Sequence, residues 1–250
     1  MARDIVTEAN ANMATTFEHI AAHVSGGETR RHGAALAVSA GLPLPVYNQI
    51  FAFDAPPDDI AAAVAWMRAR DVPFLVGVTE GEQERVREAD AGLALLDEPE
   101  LGLAYRSLDA VPADEGRVDV TGVSGSADFA DFVSVYTAVF GRDERVAERV
   151  HRAVAAADGT DLYVGRVDGR PVASGVLVRT GDVAGIYTVG VVEPFRGRGI
   201  GKATTRALLR AGRADGCEVG VVQAEASVAP LYENLGFEPV VRYRYFQPTG

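Results

Sequence analysis

The sequence predicts a mixed α/β chain, with a mixed sheet of the α+β kind, organised as two units. Three observations carry that expectation. First, the apolar, β-branched run Gly185-Ile186-Tyr187-Thr188-Val189-Gly190-Val191-Val192 leads through the turn Arg196-Gly197-Arg198-Gly199-Ile200-Gly201-Lys202 into an amphipathic helix. Second, strand-like runs and helical patterns alternate through both halves of the chain. Third, charge is uneven: residues 1–115 hold 8 arginines and 19 Asp plus Glu, net −11, while residues 116–250 hold 16 basic and 16 acidic groups. Residues 109–118, with Pro112, Asp114, Glu115 and Gly116, read as the linker.

In the first half, Thr15 to His23 suggests a helix and Ala34 to Val38 a strand. Gly41-Leu42-Pro43-Leu44-Pro45 makes a turn, and Val46 to Phe53 is strand-like. Pro56-Pro57-Asp58-Asp59 opens a helix over Ile60 to Arg70, since proline and acidic residues suit a first helical turn. Pro73 to Val78 is a strand, Glu82 to Ala91 a charged helix, and Leu101 to Tyr105 a further strand. In the second half, Val118 to Val123 suggests a strand, Ser126-Ala127-Asp128 introduces a helix through Phe140, and a second helix covers Glu144 to Ala157. Leu162 to Val167 and Pro171 to Val178 are apolar runs joined by Asp168-Gly169, a hairpin signal. After the Gly185 to Val192 strand, Ile200, Ala203, Thr204, Ala207, Leu208 and Ala211 recur at helical spacing. Gly216 ends that helix, Cys217 to Glu225 reads as the next strand, and Ser227 caps a short helix that Gly236 terminates before a last strand begins at Phe237.

Composition bounds the function. With 250 residues, 48% hydrophobic and 24% charged, the chain buries a real core in one domain or two. No 18-residue apolar run exists and Met1-Ala2-Arg3-Asp4 lacks a secretory h-region, so a cytoplasmic placement without membrane association is expected. The lone Cys217 excludes an intrachain disulfide and a cysteine metal cluster, and its place at a strand start reads as a buried structural thiol. An acidic first half repels nucleic-acid backbones and attracts cationic substrates; a solvated surface kept soluble by charge accounts for it equally well.

The glycine-rich turn carries the chemistry. Three glycines let backbone N–H groups approach a ligand, the helix N-terminus favours an anion, and Arg196, Arg198 and Lys202 add positive charge, so a phosphate-bearing ligand is expected. A nucleoside-triphosphate loop has four residues between its first glycine and the Gly-Lys pair and Ser or Thr after the lysine, whereas only three residues separate Gly197 from Gly201-Lys202 and Ala203 follows. A dinucleotide fingerprint aligned on Gly197 and Gly199 requires glycine where Lys202 stands. Neither pattern fits. His19 and His23 stand four apart on a helix, but Ile20 occupies the position where a zinc protease has glutamate and no third ligand is evident, so no metal is expected. His32 and His151 are isolated, and Ser124 in Gly122-Val123-Ser124-Gly125-Ser126 misses the nucleophile elbow because Ser126 ends the run.

The remaining pattern, Arg-x-x-Gly-x-Gly at Arg196 to Gly201, resembles the pyrophosphate loop of the GNAT superfamily of acyl-CoA-dependent N-acyltransferases. Pro230-Leu231-Tyr232-Glu233-Asn234-Leu235-Gly236-Phe237 resembles that superfamily's second signature. The resemblance is strongest over residues 185–240. It implies a GNAT domain at 116–250 and, from the reduced order of elements ahead of it, an acidic α/β domain at 1–112 that resembles a degenerate copy in a tandem arrangement. It also implies N-acetyl transfer from acetyl-CoA to a primary amine by direct attack in a ternary complex. The pyrophosphate would lie at Arg196, Gly197, Arg198, Gly199, Ile200, Gly201 and Lys202, and the pantetheine arm would pair with backbone of Val189, Gly190 and Val191. One of those N–H groups would stabilise the thioester oxyanion, a contribution of about 3 kcal/mol.

By the same resemblance Tyr232 would protonate the departing thiolate. A lysine-like amine must lose a proton at a cost of about 4 to 5 kcal/mol at neutral pH, and Glu225, with Glu193 behind it, is the candidate base. Two departures stand out. Ser227 replaces an asparagine that many relatives place against the pantetheine, and Pro194 is two rather than three residues before Arg196. The expected partners are a small-molecule or peptide amine, cationic by preference, with acetyl-CoA as cosubstrate and no metal; a homodimer is compatible with the sequence. The reading from another class is an acyl-CoA-binding sensor without turnover.

Overall fold

Asp4 starts the first helix, α1 (Ile5–His23), by accepting the Thr7 N–H at 3.2 Å through its side chain. The helix therefore begins ten residues before the periodic pattern at Thr15; its early turns are rich in Thr and Asn, and Asn12, Met13 and Thr16 are buried by tertiary packing rather than marked by an apolar stripe. In this computed structural model the chain is described over residues 3–113, 116 and 118–249. Met1 and Ala2 of the N-terminal reading and Asp114 and Glu115 of the expected linker lie outside the described residues.

The Cα framework separates into two units: one formed by the chain through Gly102 with Ala224–Pro230 and Pro239–Gly250, the other by Leu103–Gln223 with Leu231–Glu238. In the first, β1 (Glu28–His32), β2 (Ala35–Ser39) and β3 (Asn48–Phe51) are antiparallel neighbours. Helix α2 (Pro57–Arg68) then crosses over to β4 (Leu75–Thr79), which lies parallel to β3. A short helix α3 (Gln83–Glu88) and strand β5 (Leu93–Leu95) follow. The core under α2 gathers Ile50, Ile60, Ala63, Val64, Met67, Val76 and Val78. The run expected as strand from Val46 begins instead with a 3-10 turn at Pro45–Tyr47. Asn48, fully buried, fixes it there: its Nδ2 donates to the Leu42 and Pro73 carbonyls at 2.7 and 2.8 Å and its Oδ1 accepts the Ala40 N–H.

The second unit begins with the end of β6 (Glu100–Tyr105) and continues with β7 (Asp119–Gly122), α4 (Ser126–Phe140), α5 (Glu144–Ala156), β8 (Thr160–Val167), β9 (Arg170–Thr180) and β10 (Val183–Val191). Then come α6 (Ile200–Ala214), β11 (Val219–Glu225) and α7 (Ala229–Glu233), and from Pro239 on the last strand, β12 (Glu238–Pro248), belongs to the first unit. β7, β8, β9 and β10 are antiparallel neighbours in chain order, and α6 carries the chain over to β11, parallel to β10. Asp168 and Gly169 both have positive φ, 50° and 76°, as a two-residue hairpin with the native strand twist requires.

The two units thus repeat one topology: an antiparallel set, a crossover helix and a parallel strand. This is the mixed α/β arrangement with a second, reduced copy that the sequence suggests. β12 supplies the first unit with an antiparallel partner for β4, through Tyr243↔Thr79 to Phe246↔Val76, and for β5.

In the second unit α6 and α4 lie on opposite sheet faces. A Cβ on Gly175 would meet Leu208 and Thr204 of α6, whereas one on Gly190, the cross-strand partner of Ser174, would meet Val139 of α4 at 2.7 Å. His151 of α5 is buried between the rings of Phe132 and Tyr136, 4.8 and 4.2 Å away, with Nδ1 on the Ala147 carbonyl. Burial pushes its pKa down to about 4.

Candidate active site

β10 is buried through Ile186, then opens to half-buried positions at Tyr187, Thr188 and Val189. The opening coincides with two changes in pairing. The parallel ladder to β11 runs from Val183↔Val219 to Ile186↔Val222 and stops, although β10 continues to Val191 and β11 to Glu225. Against β9, the register shifts between Tyr187↔Val176 and Gly190↔Ser174, so β10 carries one extra residue.

The bulge reverses the alternation of side chains. Ala184 faces Gly212 of α6, an even position, while beyond the bulge the odd position Val191 faces Gly201 at the start of α6. Thr188 accommodates the reversal at φ +49°, a conformation that costs a β-branched residue about 1–2 kcal/mol. Its carbonyl accepts from the Ser174 hydroxyl at 3.2 Å, while its own Oγ1 is buried without a hydrogen-bond partner, as is Nε2 of Gln223 just past the last β11 pair. A strained threonine and two of the buried polar atoms without partners thus fall at the end of the β10–β11 ladder.

Between β10 and α6 the chain is tied down by backbone bonds. Val192 N–H donates to the Val172 carbonyl at 3.0 Å, Phe195 N–H to Val192, and Arg196 N–H to Glu193. Arg196 Nε donates to the Val191 carbonyl at 2.9 Å, so this arginine braces the loop against the strand end. Gly197 and Gly199 take φ of 73° and 78°, left-handed values that side chains resist. Ile200, 3% exposed, anchors the first turn of α6 in a cluster with Val118, Val172, Ala173 and Ala203.

α6 starts without a side-chain cap and without an acidic residue in its first turn, unlike α1 and α5, which Asp4 and Asp143 cap. Its first intrahelical bond is from Ala203 N–H to the Gly199 carbonyl, which leaves the N–H groups of Ile200, Gly201 and Lys202 to an outside acceptor. Among the described residues Arg198 and Lys202 have no carboxylate partner. Uncapped donors, the positive end of a four-turn helix and free cations suit a pyrophosphate.

Tyr232 lies in α7, 7% exposed, with its ring edge-on to Phe237 at 5.7 Å. Burial raises its phenol to about 12, so it stays protonated through neutral pH and can donate a proton. Val189, Gly190, Val191, the Arg196 to Lys202 loop and Tyr232 belong to the second unit, whereas Glu225 and Ser227 fall in the 224–230 segment of the first. Glu225 is the exposed last residue of β11. In its own unit it neighbours Glu100, whose carboxyl is raised by burial and by Glu225 and lowered by the Tyr245 hydroxyl, which donates to it at 3.0 Å. Ser227 is exposed in the turn before α7 and does not adjoin the helix start at Ala229, so its expected capping role is not the one the structure gives it. Glu193 is exposed, and its carbonyl holds the Arg196 N–H.

Other candidates resolve locally. His23 Nδ1 sits 2.9 Å from the His19 carbonyl. The Ser124 hydroxyl donates to Asp128 at 3.0 Å, serving the start of α4. Cys217 is 4% exposed and its thiol is pushed up by burial. The sequence reading did not single out Thr188, Ser174 or Gln223. Only the strained φ and the register shift mark the first two, and both depend on pairing with β9. No helix among the described residues is long and apolar enough to cross a membrane.

A family model described as acetyltransferase (GNAT) family matches residues 129–237, the stretch from α4 to the end of the α7 turn. No curated protein matches the chain. Solved structures share the fold. A GCN5-related N-acetyltransferase from Kribbella flavida superposes with a TM-score of 0.72 at 17% identity, over 97% of this chain and 96% of that one. A GCN5-related N-acetyltransferase from Sphaerobacter thermophilus gives 0.62 at 19% identity over 86% and 76%. A tandem GNAT protein from the clavulanic acid biosynthesis pathway gives 0.56 at 16% identity over 76% and 69%. The strand bulge and the uncapped helix both lie within residues 129–237, the segment that matches the acetyltransferase (GNAT) family, and the solved structures share the fold over most of the chain.

Proposed function

We propose that the protein transfers an acetyl group from acetyl-CoA to a primary amine by direct attack in a ternary complex. The observation that carries this reading is the opening of β10 from β11 beyond Ile186, directly ahead of a glycine-rich loop and an uncapped helix N-terminus. Acetyl-CoA supplies a thioester whose carbonyl accepts a nucleophile. The chain supplies the rest. N–H groups from Gly197 to Lys202, with Arg198 and the Lys202 ammonium, hold the pyrophosphate. Backbone groups of Val189, Gly190 and Val191, released from the parallel ladder, hold the pantetheine arm, and a bulge N–H polarises the carbonyl. Tyr232, protonated throughout the neutral range, donates to the sulfur as the C–S bond breaks. Glu225 takes the proton of the incoming ammonium. Ser227 lies on the segment that follows β11 and offers a hydroxyl for the pantetheine amide.

The test is a turnover screen with acetyl-CoA across aminoglycosides, polyamines, amino acids and peptide N-termini, read as CoA release and repeated with Arg198→Ala. Amine-dependent release that falls in the variant supports the reading. Binding of acetyl-CoA without release on any amine favours a sensor instead.

A further inference from the structure

Two arginines from different elements meet on one aromatic ring at the mouth of the loop. Arg198 places its guanidinium carbon 5.1 Å from the centre of the Phe195 ring, and Arg170, the first residue of β9, places its own 5.5 Å from the same centre. Arg170 stands on a rigid support. The Asp168-Gly169 turn pairs it with Val167, and two residues on, the Val172 carbonyl receives the Val192 N–H, so a backbone hydrogen bond ties the hairpin to the start of the loop. Phe195 is half-buried against the same cluster that contains Val172 and Ile200. Among the described residues neither guanidinium has a carboxylate partner, in a chain whose net charge is −11. Elsewhere arginines are neutralised, as Arg166 is by Asp128 and Asp131, and Arg179 by Asp161 and Asp215.

Two like charges on one ring, left without counter-ions, await an anion. The α6 N–H groups, the helix dipole, Lys202 and Arg198 already match a pyrophosphate, so Arg170 is the cation surplus to that group. Coenzyme A carries one more anion, the ribose 3′-phosphomonoester, which is close to doubly charged at neutral pH. A guanidinium stacked on an aromatic face is oriented in advance and recognises phosphate oxygens with paired N–H donors.

Resting on the acyl-CoA reading above, we propose that Arg170, held beside Arg198 by Phe195, recognises the 3′-phosphate and makes the site selective for coenzyme A over its 3′-dephospho form. Arg170 is then a specificity-determining residue that takes no part in bond making.

The experiment is a calorimetric titration of the full chain with coenzyme A and with 3′-dephospho-coenzyme A, for the native protein and for Arg170→Gln. The expected result is a native preference of about tenfold for coenzyme A, the scale of one charge-assisted contact. In Arg170→Gln that preference falls to near unity while the affinity for the dephospho form is unchanged. Equal native affinity for both ligands overturns this inference alone, as does an Arg170→Gln variant that weakens both equally. Binding of neither ligand overturns the acyl-CoA reading and this inference together.

Discussion

Replacing Thr188 by glycine is expected to stabilise the protein. The φ of +49° costs a β-branched residue about 1–2 kcal/mol, which glycine avoids. The buried hydroxyl without a partner adds about 1 kcal/mol that the substitution also removes. Against this stand the greater freedom of glycine in the unfolded chain, about 0.5–1 kcal/mol, and the lost contacts of one half-buried methyl group, about 0.8 kcal/mol. The balance is a gain of about 1 kcal/mol, or a rise in Tm of roughly 2–4 °C for a chain of this size. Scanning calorimetry and urea unfolding read it directly. Tyr187→Gly is the control: its backbone does not lie in the left-handed region, so the loss of its ring lowers stability. A Thr188→Gly variant that loses 1 kcal/mol or more refutes the strain at the bulge. Turnover measured on the same variant reports whether the strained threonine is kept for catalysis, the expected outcome being a more stable and slower protein.

Other consequences follow from the same geometry. Tyr232→Phe is expected to lower kcat by about a hundredfold, the scale of a general acid, with coenzyme A affinity kept within a few-fold; steady-state kinetics beside calorimetry check the split. Gly197→Ala meets no atom within 4 Å, so its effect isolates the backbone at φ 73°, and it should cost about 1 kcal/mol of stability and weaken coenzyme A binding. His151, held neutral with a folded pKa of about 4 against about 6.5 unfolded, contributes stability that is fully present above pH 6.5. That contribution is lost as pH falls from about 6.5 towards 4, by about 3 kcal/mol in total, and the slope should flatten in His151→Phe when unfolding is followed at pH 7.5, 6 and 5.

The chemistry-bearing segment was legible because local rules govern it. An apolar run marks β10, glycines mark the turn, helical spacing marks α6, and Asp168-Gly169 marks a hairpin whose dihedrals are the required ones. What escaped the sequence depends on partners distant along the chain. β1 is Glu-Thr-Arg-Arg-His, exposed along most of its length; charge of this kind guards the edge of a sheet and hides the strand from any hydrophobic pattern. The bulge at Thr188 exists only relative to β9, and the role of Arg170 only relative to Phe195. The return of β12 to β4 is a long-range pairing that no local pattern encodes.

The reduced copy explains itself once its topology is seen. At the position corresponding to the glycine-rich loop, the first unit has Asp54, then Pro56 and Pro57, then Asp58 and Asp59 at the start of α2. Two prolines remove N–H donors, and the carboxylates occupy the positive end of the helix, so a phosphate has neither donors nor charge to bind there.

The central claim is that the loop from Arg196 to Lys202 is the acyl-CoA pyrophosphate site, and calorimetric titration of acetyl-CoA into the full chain and into Arg198→Ala tests it most directly. The account predicts one site per chain, weakened about tenfold or more in the variant, as loss of a charge-assisted contact requires; no heat of binding, or equal affinity in the two proteins, would contradict it.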